Sequence, residues 1–138
     1  MKNRVVILLF LIFYGSCTND KIKTPPIYLA NYPSTQLTQV EFYPSSFIFD
    51  TLNTGKEYNG FFYVINKGKK PLIIDSIIKS CNCTSLNIEK RIIASLDTFK
   101  YEFKIKPTEH NNYFVSSLMF HMNTKPYYRQ YIIEGYSK

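Results

Sequence analysis

The sequence contains no tryptophan, only two histidines and only three cysteines in 138 residues. It also lacks a Ser/His/Asp order, a nucleophile elbow, a phosphate-binding loop and a defensible pair of catalytic carboxylates. We therefore expect neither an enzyme nor a bound cofactor. Without tryptophan, the tyrosines near the C-terminus suit packing within a sheet better than a carbohydrate platform.

Basic residues outnumber acidic ones by 17 to 10, which gives a formal net charge of +7. Lys2 and Arg4 lie at the extreme N-terminus, and the remaining positive charge is spread along the chain. Dispersed charge indicates solubility or mild attraction to anionic surfaces, so we expect no nucleic-acid partner. The length leaves room for one ordinary domain.

The first 16 residues have the three parts of a signal peptide. Lys2 and Arg4 precede an apolar run over 5–14, which is too short for a membrane-spanning helix of about 20 residues. Gly15-Ser16-Cys17 then resembles the end of a bacterial lipobox, so Cys17 is predicted to become the lipidated N-terminus. This predicts a lipid-anchored protein of the cell envelope, on the periplasmic or outer-membrane side. A plain secreted protein and an uncleaved anchor are the alternatives.

A tether is predicted to follow the leader, because residues 18–39 are rich in proline and polar residues and lack periodicity. The chain then divides into a signal peptide over 1–16, the lipidated Cys17 with a flexible tether over 17–39, and a domain over 40–138. In the alternative, apolar residues of the tether dock on the domain as an extra edge strand: Ile27, Tyr28, Leu29 and Tyr32.

From Val40 onward, short runs of alternating apolar residues are separated by turn residues, and no run sustains a helical period. Phe62 and Val64 are predicted to share one face of a strand, with Phe61 on the other. Residues 66–70 are predicted to be a hairpin connection. Seven or eight short strands at this spacing predict an all-β fold, an immunoglobulin-like antiparallel β-sandwich.

Cys81 and Cys83 are the two cysteines of the predicted domain. Alternate residues of a strand lie about 6.5 Å apart, near the limit for a disulfide, so a bond between them requires a turn. A structural pair at a sheet corner is the favoured interpretation, bonded or not. A reducible disulfide used in thiol exchange is a second, and a soft-metal site with His121, Met119 or Met122 is a third. Two sulfurs without a defined third ligand are a weak metal signal, so no metal site is assigned.

Lys67, Lys69 and Lys70 cluster in the predicted turn over 66–70. They are candidates for contact with an anionic glycan, phospholipid head groups or an acidic partner. A solvated turn is the simpler alternative.

Five motifs follow one another along the domain: Phe49-Asp50, Asn66-x-Gly68-x-x-Pro71-Leu72, Ser80-Cys81-Asn82-Cys83-Thr84, Asn123 between two strands, and Ile133-Glu134-Gly135. In this order they resemble the DUF1573 family, immunoglobulin-like domains common in lipoproteins and secreted proteins of Bacteroidota. The resemblance implies the fold and the envelope location. Through its similarity to Ig-like modules of ciliary and sperm-protein type, it also implies a binding or scaffolding role.

The chain departs from the family pattern at three places. Asn82 lies between the cysteines where the family usually has glycine. Thr51 follows Asp50 where the family usually has Phe-Gly, and Ser95-Leu96-Asp97 replaces a Pro-Gly turn. Because asparagine tolerates left-handed backbone angles, the cysteine corner is expected to be kept.

These observations predict a membrane-anchored lipoprotein whose Ig-like domain is a non-catalytic binding or scaffolding module. Its expected partners are the membrane, through the N-terminal lipid, and a protein or glycan. The binding surface is expected at a sheet edge or near the cysteine corner, because exposed edges invite strand addition. The alternative is a thiol-redox or soft-metal (Cu or Zn) lipoprotein that uses Cys81 and Cys83.

Overall fold

The computed structural model describes residues 32–138, and the predicted signal peptide, Cys17 and most of the predicted tether lie outside them. The described residues form nine strands: β1 (Val40–Tyr43), β2 (Ser46–Leu52), β3 (Tyr58–Asn66), β4 (Leu72–Lys79), β5 (Thr84–Leu86), β6 (Ile92–Ile93), β7 (Thr98–Ile105), β8 (Asn112–Met122) and β9 (Tyr128–Ser137). Within this part of the chain, no helix is long and apolar enough to cross a membrane.

Two sheets face each other, one with the order β1-β3-β7-β5 and one with the order β2-β9-β8-β4-β6. The predicted all-β sandwich is confirmed, with two differences of detail. Two very short strands raise the number to nine, and β2 runs parallel to β9. Only two residues separate β1 from β2, although these strands belong to different sheets. Sheets of a sandwich are about 10 Å apart, so this connection is too short both to cross between them and to reverse the direction of the chain.

The predicted hairpin over 66–70 is wrong, because β3 and β4 belong to different sheets. The turn between them crosses from one sheet to the other. Its geometry is fixed by the Asn66 side chain, whose Nδ2 donates to the Lys70 carbonyl at 2.7 Å and to the Ala94 carbonyl at 2.9 Å. Alternation along a strand reveals which residues face inward, but it does not identify the neighbouring strand.

The core lies between the sheets and is built from alternate residues of the long strands. Phe62 and Val64 of β3 are fully buried and Phe61 is 42% exposed, so they lie on opposite faces of the strand, as the sequence predicted. From the opposite sheet, the ring of Tyr131 stacks on Phe62 with 4.1 Å between the ring centroids. Such aromatic contacts join the two sheets.

Residues 32–39, which precede the predicted domain boundary at Val40, pack on the domain. A short 3-10 turn (Ser34–Gln36) leads to Thr38, which is buried and forms an isolated parallel bridge with Thr124. A Cβ at Gly68 would lie 2.1 Å from Thr38 Oγ1, so only glycine admits this close approach. The end of the predicted tether therefore packs on the domain, whereas Ile27, Tyr28 and Leu29 of the alternative edge strand lie outside the described residues.

Candidate functional site

The cysteine corner joins the two sheets between β4 and β5. Cys81 and Cys83 form a disulfide, and their Cα atoms are 5.1 Å apart, so the turn that a bond between them requires is present. The Cys83 carbonyl accepts a hydrogen bond from Lys106 N at 2.8 Å. Ser80 Oγ accepts one from Ser117 N at 2.8 Å. The corner is thus tied to both sheets.

Both cysteines are half-buried beside a shallow groove that Pro107, Tyr113 and Phe114 also line. The sulfurs are bonded to each other, and Met122 is fully buried in the core. Among residues 32–138 there is no group of three or more His, Cys, Asp and Glu arranged to hold a metal ion. The role of the disulfide in thiol exchange stays a prediction.

The predicted lysine cluster lies in the crossover turn. Lys67 Nζ is 3.2 Å from a Glu41 carboxylate oxygen, and both side chains are about half exposed. Lys67 and Lys69 line a groove with Lys125 and with Thr38 of the N-terminal segment. Lys70 is exposed, and its carbonyl accepts from Asn66. The expected contact of these lysines with an anionic glycan, phospholipid head groups or an acidic partner stays a prediction.

Asn66 ends β3 with a fully buried side chain. Its Oδ1 accepts hydrogen bonds from Thr38 Oγ1 at 2.7 Å and from Gly68 N at 3.1 Å. Its Nδ2 donates to three carbonyls, those of Lys70, Ala94 and Ile93. One amide therefore fixes the crossover turn, the loop before β7 and the N-terminal segment.

Asn123 has the same role at the end of β8, where it is 1% exposed. Its Oδ1 accepts from Ile73 N at 2.7 Å, and its Nδ2 donates to the carbonyls of Gln36 at 2.7 Å and Pro71 at 2.9 Å. Two motif residues, Asn66 and Asn123, are thus structural, since every polar atom of each amide is paired. The sequence suggested them as motif positions but not their contacts.

His121 lies on the outer face of β8 and is only 4% exposed, because tyrosine rings surround it. Its Nδ1 is 3.1 Å from the Asp75 carboxylate, to which the Tyr32 hydroxyl also donates. Burial and then the bond to Asp75 raise the pKa of the Tyr32 phenol far above its usual value. This cluster, which the sequence did not predict, fastens the N-terminal segment to the sheet.

A cleft of about 390 Å³ opens between β1 and the beginning of β9 and is lined by Val40, Phe42, Pro126 and Arg129, among others. We call it the β1–β9 cleft. Arg129 pairs with buried Phe120 across β8 and β9, so it is on the inner face of its sheet. Its Nε is buried without a hydrogen-bond partner among the described residues. The sequence offered a signal here, because Arg129 alternates with the buried residues Tyr131 and Ile133.

Solved structures similar to this chain share its sandwich fold. A protein of unknown function from Porphyromonas gingivalis W83 is 11% identical, with a TM-score of 0.65 over 77% of this chain and 50% of its own length. The ASH / PapD-like domain 7 of human CEP192 is 11% identical, with a TM-score of 0.62 over 78% of this chain and 91% of that one. This chain thus spans half the length of the Porphyromonas protein. At such identities the likeness shows the fold alone.

A comparison with curated protein sequences finds no match. The family model of DUF1573, described as "Protein of unknown function", matches residues 40–136. That segment begins at β1, contains the cysteine corner and both buried asparagines, and ends within β9. The chain therefore belongs to the DUF1573 family.

Proposed function

We propose that this chain is a lipid-anchored protein of the cell envelope whose Ig-like domain is a non-catalytic module that binds an extended segment of a partner protein. The anchor is assigned to Cys17 on the lipobox-like Gly15-Ser16-Cys17. The observation that carries the binding role is the edge position of β1, which within residues 32–138 pairs with β3 on one side only and borders the β1–β9 cleft. An open edge next to a cleft supports strand addition.

The other three sheet edges are less suited to pairing. Strands β5 and β6 are three and two residues long, and the pairing of β2 with β9 is interrupted by a register shift between Ile48 and Thr51. Short edges and bulges are features that protect proteins against strand addition. By contrast, β1 pairs with β3 in an unbroken register. This difference favours β1 as the binding edge.

Two variants of Val40 test the edge. Val40→Pro removes an amide that points away from β3, whereas Val40→Ala shortens the same side chain and keeps the amide. With the full chain in its native envelope, we expect cross-linking to a partner to be lost in Val40→Pro and kept in Val40→Ala. An equal yield of cross-linked partner from both variants would contradict the use of β1. Ile48→Ser, on an exposed residue of β2, is the control for a different surface.

The anchor is tested separately by Cys17→Ser. We expect this variant to leave the membrane fraction while the domain keeps its fold. If Cys17→Ser stays membrane-bound, the lipid assignment is wrong, whatever the result of the Val40 pair.

Thiol exchange at the cysteine corner is the second candidate function, favoured by the half-buried disulfide between Cys81 and Cys83. A thiolate of a partner dithiol protein would attack one sulfur and release the other as a thiolate, giving a mixed disulfide. In the single-cysteine variants Cys81→Ser and Cys83→Ser, the remaining thiolate should attack the disulfide of an oxidised partner and release one partner sulfur as a thiolate. The partner then stays attached as a mixed disulfide, because the second cysteine of the pair is no longer there to displace it. Failure of both variants to form a mixed disulfide in the envelope would remove this candidate.

A further inference from the structure

Arg129 has no anionic partner among residues 32–138. None of the four lysine–carboxylate ion pairs among the described residues includes it, nor does the contact between His121 and Asp75, and its Nε is buried and unpaired. Glu41, which also borders the β1–β9 cleft, has its carboxylate 3.2 Å from Lys67 Nζ. A buried donor without an acceptor is destabilising, so native proteins rarely retain one without a reason.

A second unpaired donor lies two residues further along the same face of β9. The Tyr131 hydroxyl is buried without a partner, and its ring contacts Phe42 of β1 with 5.7 Å between the ring centroids. Among residues 32–138, Arg129 Nε and the Tyr131 hydroxyl are the buried side-chain nitrogen and oxygen atoms that lack a hydrogen bond. Both belong to the part of β9 nearest to β1.

The exposed side of β1 presents backbone groups to the same cleft. Lys67 N donates to the Gln39 carbonyl at 2.8 Å, and Val40 is aligned with Asn66. In an antiparallel ladder this register directs the amides and carbonyls of Glu41 and Tyr43 toward β3. The amides and carbonyls of Val40 and Phe42 therefore point away from β3, toward the space where another strand would lie.

We infer that the β1–β9 cleft binds a carboxylate of an extended peptide that pairs with β1, the carboxylate being held by the Arg129 guanidinium. This inference deepens the proposed function and rests on it. A planar guanidinium binds a carboxylate through two parallel hydrogen bonds. Backbone pairing with Val40 and Phe42 supplies the alignment, and the charge on Arg129 supplies the specificity. The carboxylate belongs to an aspartate or glutamate side chain or to the peptide's C-terminus.

The probes are short synthetic peptides of alternating valine and threonine, flanked by lysines for solubility. One carries a central aspartate and an amidated C-terminus, and its match carries asparagine. A third has neither aspartate nor asparagine and ends in a free carboxylate, and its match ends in an amide. Binding to the wild-type domain is measured by NMR titration of the Val40 and Phe42 amide signals.

We expect a carboxylate peptide to bind at least about tenfold more tightly than its neutral match, the size of effect expected from one charge-assisted hydrogen bond. Whichever of the two pairs shows the difference identifies the source of the carboxylate. In Arg129→Met the difference should disappear, whereas in Lys56→Met, which removes an exposed charge elsewhere, it should persist. Thermal unfolding of each variant checks that the fold is retained.

Equal affinity for the charged and neutral peptides would overturn the inference, as would a preference that survives in Arg129→Met. A wild-type dimer that Arg129→Met dissociates would also overturn it, because the occupant would then be a second copy of the chain. The proposed function is judged separately. If Val40→Pro abolishes partner cross-linking and Arg129→Met leaves it intact, edge binding stands and the carboxylate site does not.

Discussion

Asn66 and Arg129 both place polar groups inside the sandwich, and their surroundings are opposite. The Asn66 amide has five hydrogen bonds to three segments of the chain, whereas the buried Nε of Arg129 has none among the described residues. A buried network in which every atom is paired specifies a structure. A buried donor left unpaired favours a role in binding a ligand over a role in stabilising the fold. The contrast separates the residues that hold this domain together from those that we assign to a ligand.

Breaking the paired region should have the largest effect. We expect Asn66→Ala to lower the free energy of unfolding by about 3 kcal/mol, because the buried groups of several segments lose their partner. Asn59→Ala, at an exposed position of β3, is the matched control and should change stability by less than about 0.5 kcal/mol. Urea denaturation measures both. Similar losses of unfolding free energy in the two variants would contradict a stabilising role for the Asn66 hydrogen bonds.

Two buried tyrosines repeat the contrast on a smaller scale. The Tyr101 hydroxyl donates to the Lys90 carbonyl, whereas the Tyr131 hydroxyl has no partner. Removal of a paired hydroxyl should cost about 1 kcal/mol in Tyr101→Phe, and removal of an unpaired one should cost nothing in Tyr131→Phe. Thermal unfolding of the two variants compares the same chemical change in both contexts. A greater loss in Tyr131→Phe would show that its hydroxyl is satisfied in solution.

Leu96 offers a gain in stability within the paired region. It adopts a φ of 61° in the loop that Asn66 holds, at the place where the family pattern has a Pro-Gly turn, and its side chain is 73% exposed. Left-handed backbone is unfavourable for leucine, so Leu96→Gly should raise the free energy of unfolding by about 0.5 kcal/mol. Leu96→Ala keeps a Cβ and should not raise the free energy of unfolding. A loss in the glycine variant would show that the loop does not strain Leu96.

The sequence predicted local structure well because alternation is a property of single strands. The predicted strand that contains Phe62 and Val64 corresponds to Tyr58–Asn66. The spacing of Cys81 and Cys83 showed that a bond between them would need a turn, and the bonded pair lies in one. The crossover after Asn66 was missed, because the choice of sheet depends on distant partners. The docking of Thr38 was missed for the same reason, since it depends on Gly68 and Asn123.

The candidate cleft was predictable only in part. Arg129 alternates with Tyr131 and Ile133, so its inward position was open to inference from the sequence. The missing ion-pair partner of Arg129 could not be inferred from the sequence, because it depends on where β1, Glu41 and Lys67 lie in the fold. The predicted preference for a sheet edge as the binding surface is carried forward as the proposed use of β1.

The contrast between the paired Asn66 amide and the unpaired Arg129 Nε is tested most directly by the free energy of unfolding of Arg129→Met, measured in urea beside Asn66→Ala. If Arg129 serves a ligand and not the fold, methionine removes an unpaired buried donor and stability should change by less than about 0.5 kcal/mol or rise. A loss of about 3 kcal/mol, equal to that expected for Asn66→Ala, would contradict the account. It would make Arg129 a structural residue of the sandwich.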